Sequence, residues 1–543
     1  MRSLTPQSVI AEPEQHTRPS SDRSRLQRWP LVAIAAWAVV LLGGALRLYR
    51  LDALSYWLDE GITVYDTRRE WDVVFGLHGR YAEHPPLYHV FAKFMTLFFP
   101  DNIAARVLSL ITGTLTLVVL YFLVATLLNR RAAVAATLVL AVSPLHIWYS
   151  QEARMYAPTM FAVALSYLML VLFYKTPQIR WAVGYGLALA LAVYMDYSAV
   201  YALAPQVALV LLTLWKHRRG TVPLIVSALC AVVLYLPWFP QMMSTAEQWR
   251  GLRDNYLAPS PIRVSTSLLA VVGAGGNAAT TGVPHAGYYW GLKHVAWDLG
   301  LIAPRLPVDP LLLVRAAILV VVVAVVAVST AVLWRRNRLS MIVAALLLAT
   351  IPVAVLSSLV SAGYAERTVL SATLGWALLV GGAAHASTVS SWPRWVRAGS
   401  LVVVALVIGY SVVSLRALYQ GGIKQDWRAL ANATADVARS GQQILVYPTY
   451  AEILMDIYQP QLRQGKFLRI DDWATVPDLS TLPGGKPDSL AIAYFSSVNY
   501  GQVLSQLEAQ GYVRQDRQMW QDQLFLDTYT LPGISRSQPA YFY

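Results

Sequence analysis

The sequence predicts a mainly α-helical, polytopic membrane protein of about eleven transmembrane helices, with external juxtamembrane helices and a small C-terminal α/β extracytoplasmic domain. Three observations lead there. The 543 residues are 56% hydrophobic and only 13% charged, with a mean hydropathy of +0.46, whereas a soluble chain carries about a quarter charged residues. Mostly apolar runs of about 18 residues or more recur along it, each long enough to cross a bilayer. The connectors alternate between short basic ones and longer mixed ones.

Residues 1–29 are polar and rich in Pro, Ser and Arg, the composition of a disordered tail. The first apolar run lacks a small-residue cleavage site and is expected as a retained span. Spans are expected at 30–46, 103–128, 132–148, 156–174, 181–195, 197–215, 221–239, 309–334, 339–361, 368–388 and 397–416, which together form a transmembrane domain over 30–416. The connectors at 129–131, 175–180, 216–220, 335–338 and 389–397 hold twelve Lys or Arg and no Asp or Glu. By the positive-inside rule they are cytoplasmic, with the N-terminus, and the C-terminus is external. The net charge of +13 is therefore an orientation signal, and nucleic acid is excluded as the expected partner. The single cysteine, Cys230, rules out an intramolecular disulfide and reads as a small buried side chain.

The external face then receives a first loop, 47–102, a large loop, 240–308, and a tail domain, 417–543. Within the first loop, 84–99 opens on prolines and continues apolar and aromatic, as an interfacial helix would. The large loop is Gly-rich at 273–282 and aromatic at 285–294, a pattern suited to a segment that orders over an acceptor or to an ordinary flexible loop. In the tail, 442–450, 489–497 and 523–531 read as strands and 426–440 as an amphipathic helix.

Ionisable side chains cluster at the external ends of the spans: the adjacent pair Asp59 and Glu60, then His84 and Lys93, then Glu152, Arg154 and Tyr156, then Glu366 and Arg367. Singly, Arg154 could snorkel from a helix end and Lys93 could be a solvated surface residue. Asp59-Glu60, flanked by Trp57, Leu58 and Ile62, resists that explanation, because two carboxylates repel each other beside apolar surface. Together, external carboxylates and cations suit glycosyl transfer from a polyprenyl-phosphate sugar. One carboxylate takes the proton of an acceptor hydroxyl, and Arg or Lys holds the charge growing on the leaving lipid phosphate. A transporter or flippase is the alternative, but a substrate path would place ionisable groups at mid-span.

The stretches LSYWLDEGI (54–62), HPPLYHVFAKF (84–94), AARVLSLITGTLTLVVLY (104–121) and SPLHIWYSQEARMYA (143–157) resemble the GT-C membrane glycosyltransferases. Within them, the chain resembles the bacterial branch related to protein O-mannosyltransferases and the lipid A aminoarabinose transferase, most clearly over 45–175. The resemblance implies an inverting transferase of the bacterial plasma membrane that moves a monosaccharide from a polyprenyl-phosphate donor to an acceptor protein, lipid or polysaccharide. It puts the catalytic carboxylates on Asp59 and Glu60, with Asp59 the base. It puts donor phosphate and sugar binding on His84, Lys93, Glu152, Arg154, Tyr156 and Arg367. Thr368 follows Arg367 where the family commonly has Tyr, and Asp196 stands where a His is commoner. Some relatives use a divalent metal, for which Glu60, Glu152 and His84 are the candidate ligands, although no spacing here demands one.

Overall fold

The computed structural model describes residues 21–76, 84–216, 218–251, 261–273, 310–358, 364, 366–420, 424–448, 451–464, 467–470, 476–482, 485–495, 500–520 and 524–533. Helix α1 (Ser21–Leu48) begins upstream of the expected boundary at 30 and leads into a loop carrying α2 (Leu58–Thr67), α3 (Trp71–Val74) and α4 (Leu87–Met95). The bundle continues through α5 (Asp101–Leu127), α6 (Arg130–Ala141), α7 (Pro144–Ser150), α8 (Tyr156–Lys175), α9 (Ile179–Met195), α10 (Ala199–Lys216) and α11 (Arg218–Tyr235). Helices α12 (Phe239–Gly251) and α13 (Pro261–Val271) lie in the expected large loop, whose Gly-rich and aromatic parts fall almost wholly outside the described residues. Helices α14 (Pro310–Arg336), α15 (Arg338–Leu348), α16 (Thr350–Ser358), α17 (Ala372–Ala386) and α18 (Arg394–Gln420) complete the membrane part.

Among the described residues, seven helices are long and apolar enough to cross a membrane, or eight if the bent pair α6–α7 counts as one span. Three shorter apolar helices, Ile179–Met195, Ala199–Thr213 and Ala372–Ala386, fall at the remaining expected positions.

The segment expected as one straight span over 132–148 bends by 65° between α6 and α7. Pro144 at the first turn of α7 and Ser143, whose Oγ accepts from the His146 N–H, start a new helix there. The break leaves the last carbonyls of α6 without intrahelical donors. Arg47, buried on α1, donates to Leu140 O and Ala141 O, both at 3.2 Å, and contacts His146 Nδ1. A cation at a helix C-terminus is favourably placed against the helix dipole. Gly113 lets α5 approach this corner, since a Cβ there would stand 2.2 Å from Ser150 Oγ.

The connectors around 129, 175, 337 and 385–397 meet at one end of the bundle, where Asn129 Nδ2 also contacts His385 Nδ1. Lys175 Nζ donates to Thr126 O, Asn337 Nδ2 to Leu127 O, and Arg397 Nε to Ser387 O at 3.0 Å. The opposite end gathers 51–67, 84–106, 151–156, 196, 367 and 424.

After α18 the chain forms helix α19 (Trp427–Arg439), strand β1 (Gln443–Tyr447), helix α20 (Ala451–Tyr458) and strands β2 (Phe467–Arg469) and β3 (Ser489–Phe495). Helix α21 (Tyr500–Ala509) and strands β4 (Val513–Trp520) and β5 (Leu524–Thr530) follow. The sheet order is β2-β1-β3-β5-β4, with β1 parallel to β2 and β3, and β5 antiparallel to β3 and β4. The central strands are apolar on both faces because both are covered. Ile444, Val446, Ala491 and Ala493 join the core that continues into the membrane part. Leu445, Leu490, Ile492 and Tyr494 pack with Val503 and Leu507 of α21 in a second cluster. Strand β4 was not expected from sequence; its VRQDRQMW is largely exposed and charged, as suits a sheet edge.

Candidate active site

Helix α2 begins at Leu58, so Asp59 and Glu60 occupy its first turn, where negative charge is favourable. Consecutive helical residues point about 100° apart. That rotation sends the two carboxylates into different surroundings: Asp59 keeps 27% of its side chain exposed, and Glu60 keeps none.

Glu60 is the centre of a sealed network. Arg106, from the first turns of α5, grips it with Nε at 2.9 Å from Oε1 and Nη2 at 3.0 Å from Oε2. Lys424 donates to Oε2 at 2.8 Å, the Ala153 N–H to Oε1 at 2.8 Å, and the Trp57 N–H to Oε2 at 3.4 Å. The last of these is half of a capping box. Arg106 is fixed in turn by Leu51 O and Leu54 O, each at 2.9 Å, and lies over the Tyr56 ring. Burial alone would push the Glu60 carboxyl up, but Arg106 and Lys424 hold it down at about 2. Held down in this way, the carboxylate organises its neighbourhood through Arg106 and Lys424.

Asp59 faces the cations of the α7–α8 turn and of residue 367. Arg154 Nη2 lies 3.9 Å from its Oδ2, and Arg154 Nη1 donates to Asp59 O at 3.1 Å and approaches Thr63 Oγ1 at 3.3 Å. Arg154 Nη2 also meets His84 Nε2 at 2.8 Å; a guanidinium only donates, so this imidazole nitrogen is the acceptor. Two guanidiniums lie near the Tyr156 ring, with Arg154 Cζ 5.9 Å and Arg367 Cζ 5.7 Å from its centroid. Arg154 Nε has no hydrogen-bond partner among the described residues. This half of the site thus offers cationic donors next to a partly exposed carboxylate.

Glu152 stands between the halves. It is buried, its Oε1 lies 3.6 Å from Lys424 Nζ, and its Oε2 has no partner among the described residues. Burial pushes its carboxyl up to about 7, against the pull of Lys424. Asp196, buried and accepting from the Ser198 N–H at 3.3 Å, is likewise raised by burial.

The structure thus brings together Asp59, Glu60, His84, Glu152, Arg154, Tyr156 and Arg367. It does not bring in Lys93, whose Nζ donates to Thr67 O at 3.0 Å and to Arg69 O, closing the C-terminal end of α2, and lies over the Trp71 ring. Among the described residues no group of three or more His, Cys, Asp or Glu side chains is placed to hold a metal ion. Glu60, one expected ligand, has its oxygens taken up by Arg106, Lys424 and backbone donors. Two residues were missed from sequence, Arg106 and Lys424. Arg106 is a cation near the start of an apolar helix and Lys424 follows shortly after the last one, and those positions were the available signal.

Residues 83–240 match the family model described as dolichyl-phosphate-mannose-protein mannosyltransferase. No curated protein matches the sequence. Among solved structures, that of ArnT from Cupriavidus metallidurans bound to undecaprenyl phosphate is similar over 93% of this chain and 99% of that one, at 12% identity and a TM-score of 0.53. Archaeoglobus fulgidus oligosaccharyltransferase AglB, in complex with an inhibitory peptide and a dolichol-phosphate, is similar over 90% and 70%, at 13% identity and a TM-score of 0.47. The S. cerevisiae Pmt1-Pmt2 complex bound to the sugar donor covers 42% and 36%, at 17% identity and a TM-score of 0.34. The likeness to ArnT shows a shared fold. The family match is confined to residues 83–240, within the helical bundle that shares this fold.

Proposed function

We propose that the chain moves a monosaccharide from a polyprenyl-phosphate donor to an acceptor hydroxyl, amine or phosphate group, with inversion, on the external face of a bacterial plasma membrane. The N-terminus is then cytoplasmic and the C-terminal sheet extracytoplasmic, in keeping with the twelve basic residues of the short connectors. The observation that carries the reading is the division between adjacent carboxylates: Asp59 partly exposed beside Arg154, Glu60 sealed.

With a hydroxyl acceptor, the oxygen attacks the anomeric carbon while Asp59 takes its proton. The bond from that carbon to the phosphate oxygen breaks, and the electron pair leaves on the lipid phosphate. Arg154 and Arg367, with His84 and Tyr156 around them, hold that charge. A phosphate leaving group needs no strong proton donor, because its second pKa is near 6. Glu60 is engaged by Arg106, Lys424 and backbone donors, so it is not free to attack carbon, which supports a single displacement with Asp59 as the base. The likeness to a fold that binds undecaprenyl phosphate in ArnT supports a lipid-phosphate donor.

The test is transfer or hydrolysis by the purified protein given labelled polyprenyl-phosphate monosaccharides and an envelope extract as acceptor. Label should move with the wild type and not with Asp59→Asn. If no donor in the panel binds or is consumed, the reading fails and transport becomes the better account.

A further inference from the structure

The stretch joining the last span to the C-terminal sheet contributes a buried ammonium to the site. Lys424, 4% exposed, reaches Glu60 Oε2 at 2.8 Å, stands 3.6 Å from Glu152 Oε1, and lies 4.9 Å from the centre of the Trp148 ring. A buried lysine is poor glue, since desolvating an ammonium is costly and an apolar side chain would pack as well. Its neighbours in sequence repeat the pattern of contact with the catalytic loop. The Arg428 N–H donates to Ser55 Oγ and its Nη2 to Asp52 O, both at 3.1 Å. Tyr458 Oη accepts from the Tyr56 N–H at 2.6 Å and from Ser55 Oγ at 3.2 Å. Leu454 fills the space beside Gly61, where a Cβ would stand 2.4 Å from its Cδ2. Asp456 lies 3.6 Å from Arg68 at the far end of α2. The C-terminal part therefore touches the segment 52–68 at both ends and around Glu60 and Gly61.

We propose that the C-terminal α/β module is a positioning half of the active site, in which Lys424 bridges Glu60 and Glu152 and, with Arg428, Leu454 and Tyr458, sets the helix that presents Asp59. Lys424 touches the carboxylates and not the substrate, so it is a positioning residue. The catalytic consequence rests on the reading of Asp59 as the base; the mechanical part does not.

The experiment uses the full chain in lipid nanodiscs, with Lys424→Met and Tyr458→Phe. Two quantities are read: amide hydrogen exchange over 58–67, and kcat and donor KM for sugar transfer. Both variants should speed exchange over 58–67. Lys424→Met should lower kcat about 10–10²-fold, the scale set by a small misplacement of a reacting group, with donor KM within about threefold. Ethylammonium should restore part of the turnover of Lys424→Ala, which a merely structural contact would not allow. Unchanged exchange over 58–67 in folded Lys424→Met overturns the proposal whatever the enzyme does, and so does a change in KM without one in kcat. If exchange rises in both variants while the wild type transfers no sugar, the positioning stands and the transferase reading falls. Should Lys424→Met not fold, Tyr458→Phe decides by the same two readings.

Discussion

The surroundings of Glu60 and Asp59, one residue apart, differ in how donors and acceptors balance. Around Glu60 the count closes: Arg106, Lys424 and two backbone N–H groups meet a carboxylate with no exposed surface. Around Asp59 it does not close. Arg154 is 3.9 Å from the carboxylate, Arg154 Nε lacks a partner among the described residues, and Arg367 lies near the Tyr156 ring. A closed network holds shape, and an open one has capacity left for a ligand. The same helix turn supplies both because successive side chains diverge around its axis.

The strongest way to break the closed half is Arg106→Ala. It leaves Glu60 buried with Lys424 as its only side-chain cation, and removing one partner of a buried pair costs about 3–5 kcal/mol. Thermal unfolding in detergent should show it as a large fall in melting temperature. In the open half, Arg154→Ala should lower turnover by about 10²–10³-fold, as loss of a charge-stabilising donor does. Its melting temperature should move far less than that of Arg106→Ala, and an equal fall in both would merge the two halves.

The two buried glutamates should also respond to pH in opposite windows. Glu60 is held down at about 2 by Arg106 and Lys424 against its burial, so its contribution to stability is full above its unfolded value of 4.5 and is lost as pH falls toward 2. Glu152 is pushed up to about 7 by burial, so its contribution is full below 4.5 and is lost as pH rises from 4.5 through 7. Glu152→Gln should therefore gain on the wild type between pH 5 and pH 8 in melts across that range. A constant offset would mean that Glu152 is already ionised throughout. The smallest effect is expected from Lys93→Met, which removes a cap from the end of α2 and should cost about 1 kcal/mol, with donor affinity unchanged in a binding titration.

Much of this was legible in the sequence, and what was not has a physical reason. The apolar runs marked the spans, and the arginines at 129–131 and 335–338 marked the connectors that meet at one end. The strand at 443–447 and the helix at 427–439 followed from periodicity. Asp59 and Arg154 were visible as charges where charge is costly. The bend after Ala141 was missed because hydropathy runs through it, although Ser143-Pro144 is a cap-and-start signal. Arg106 and Lys424 were missed because their meaning lies in Glu60, which is 46 and 364 residues away along the chain. Lys93 was placed near the donor by its position in a motif, while its ammonium is held by the carbonyls of residues 67 and 69.

The central claim is that adjacent carboxylates divide chemistry from structure, and it is tested most directly by measuring turnover and melting temperature together for Asp59→Asn and Glu60→Gln. Asp59→Asn should melt with the wild type and still bind donor while turnover falls about 10²–10⁴-fold, the usual worth of a general base. Glu60→Gln should lose stability heavily, because it leaves Arg106 and Lys424 facing a neutral group. Near-normal turnover in Asp59→Asn, or a Glu60→Gln that melts like the wild type, would contradict the account.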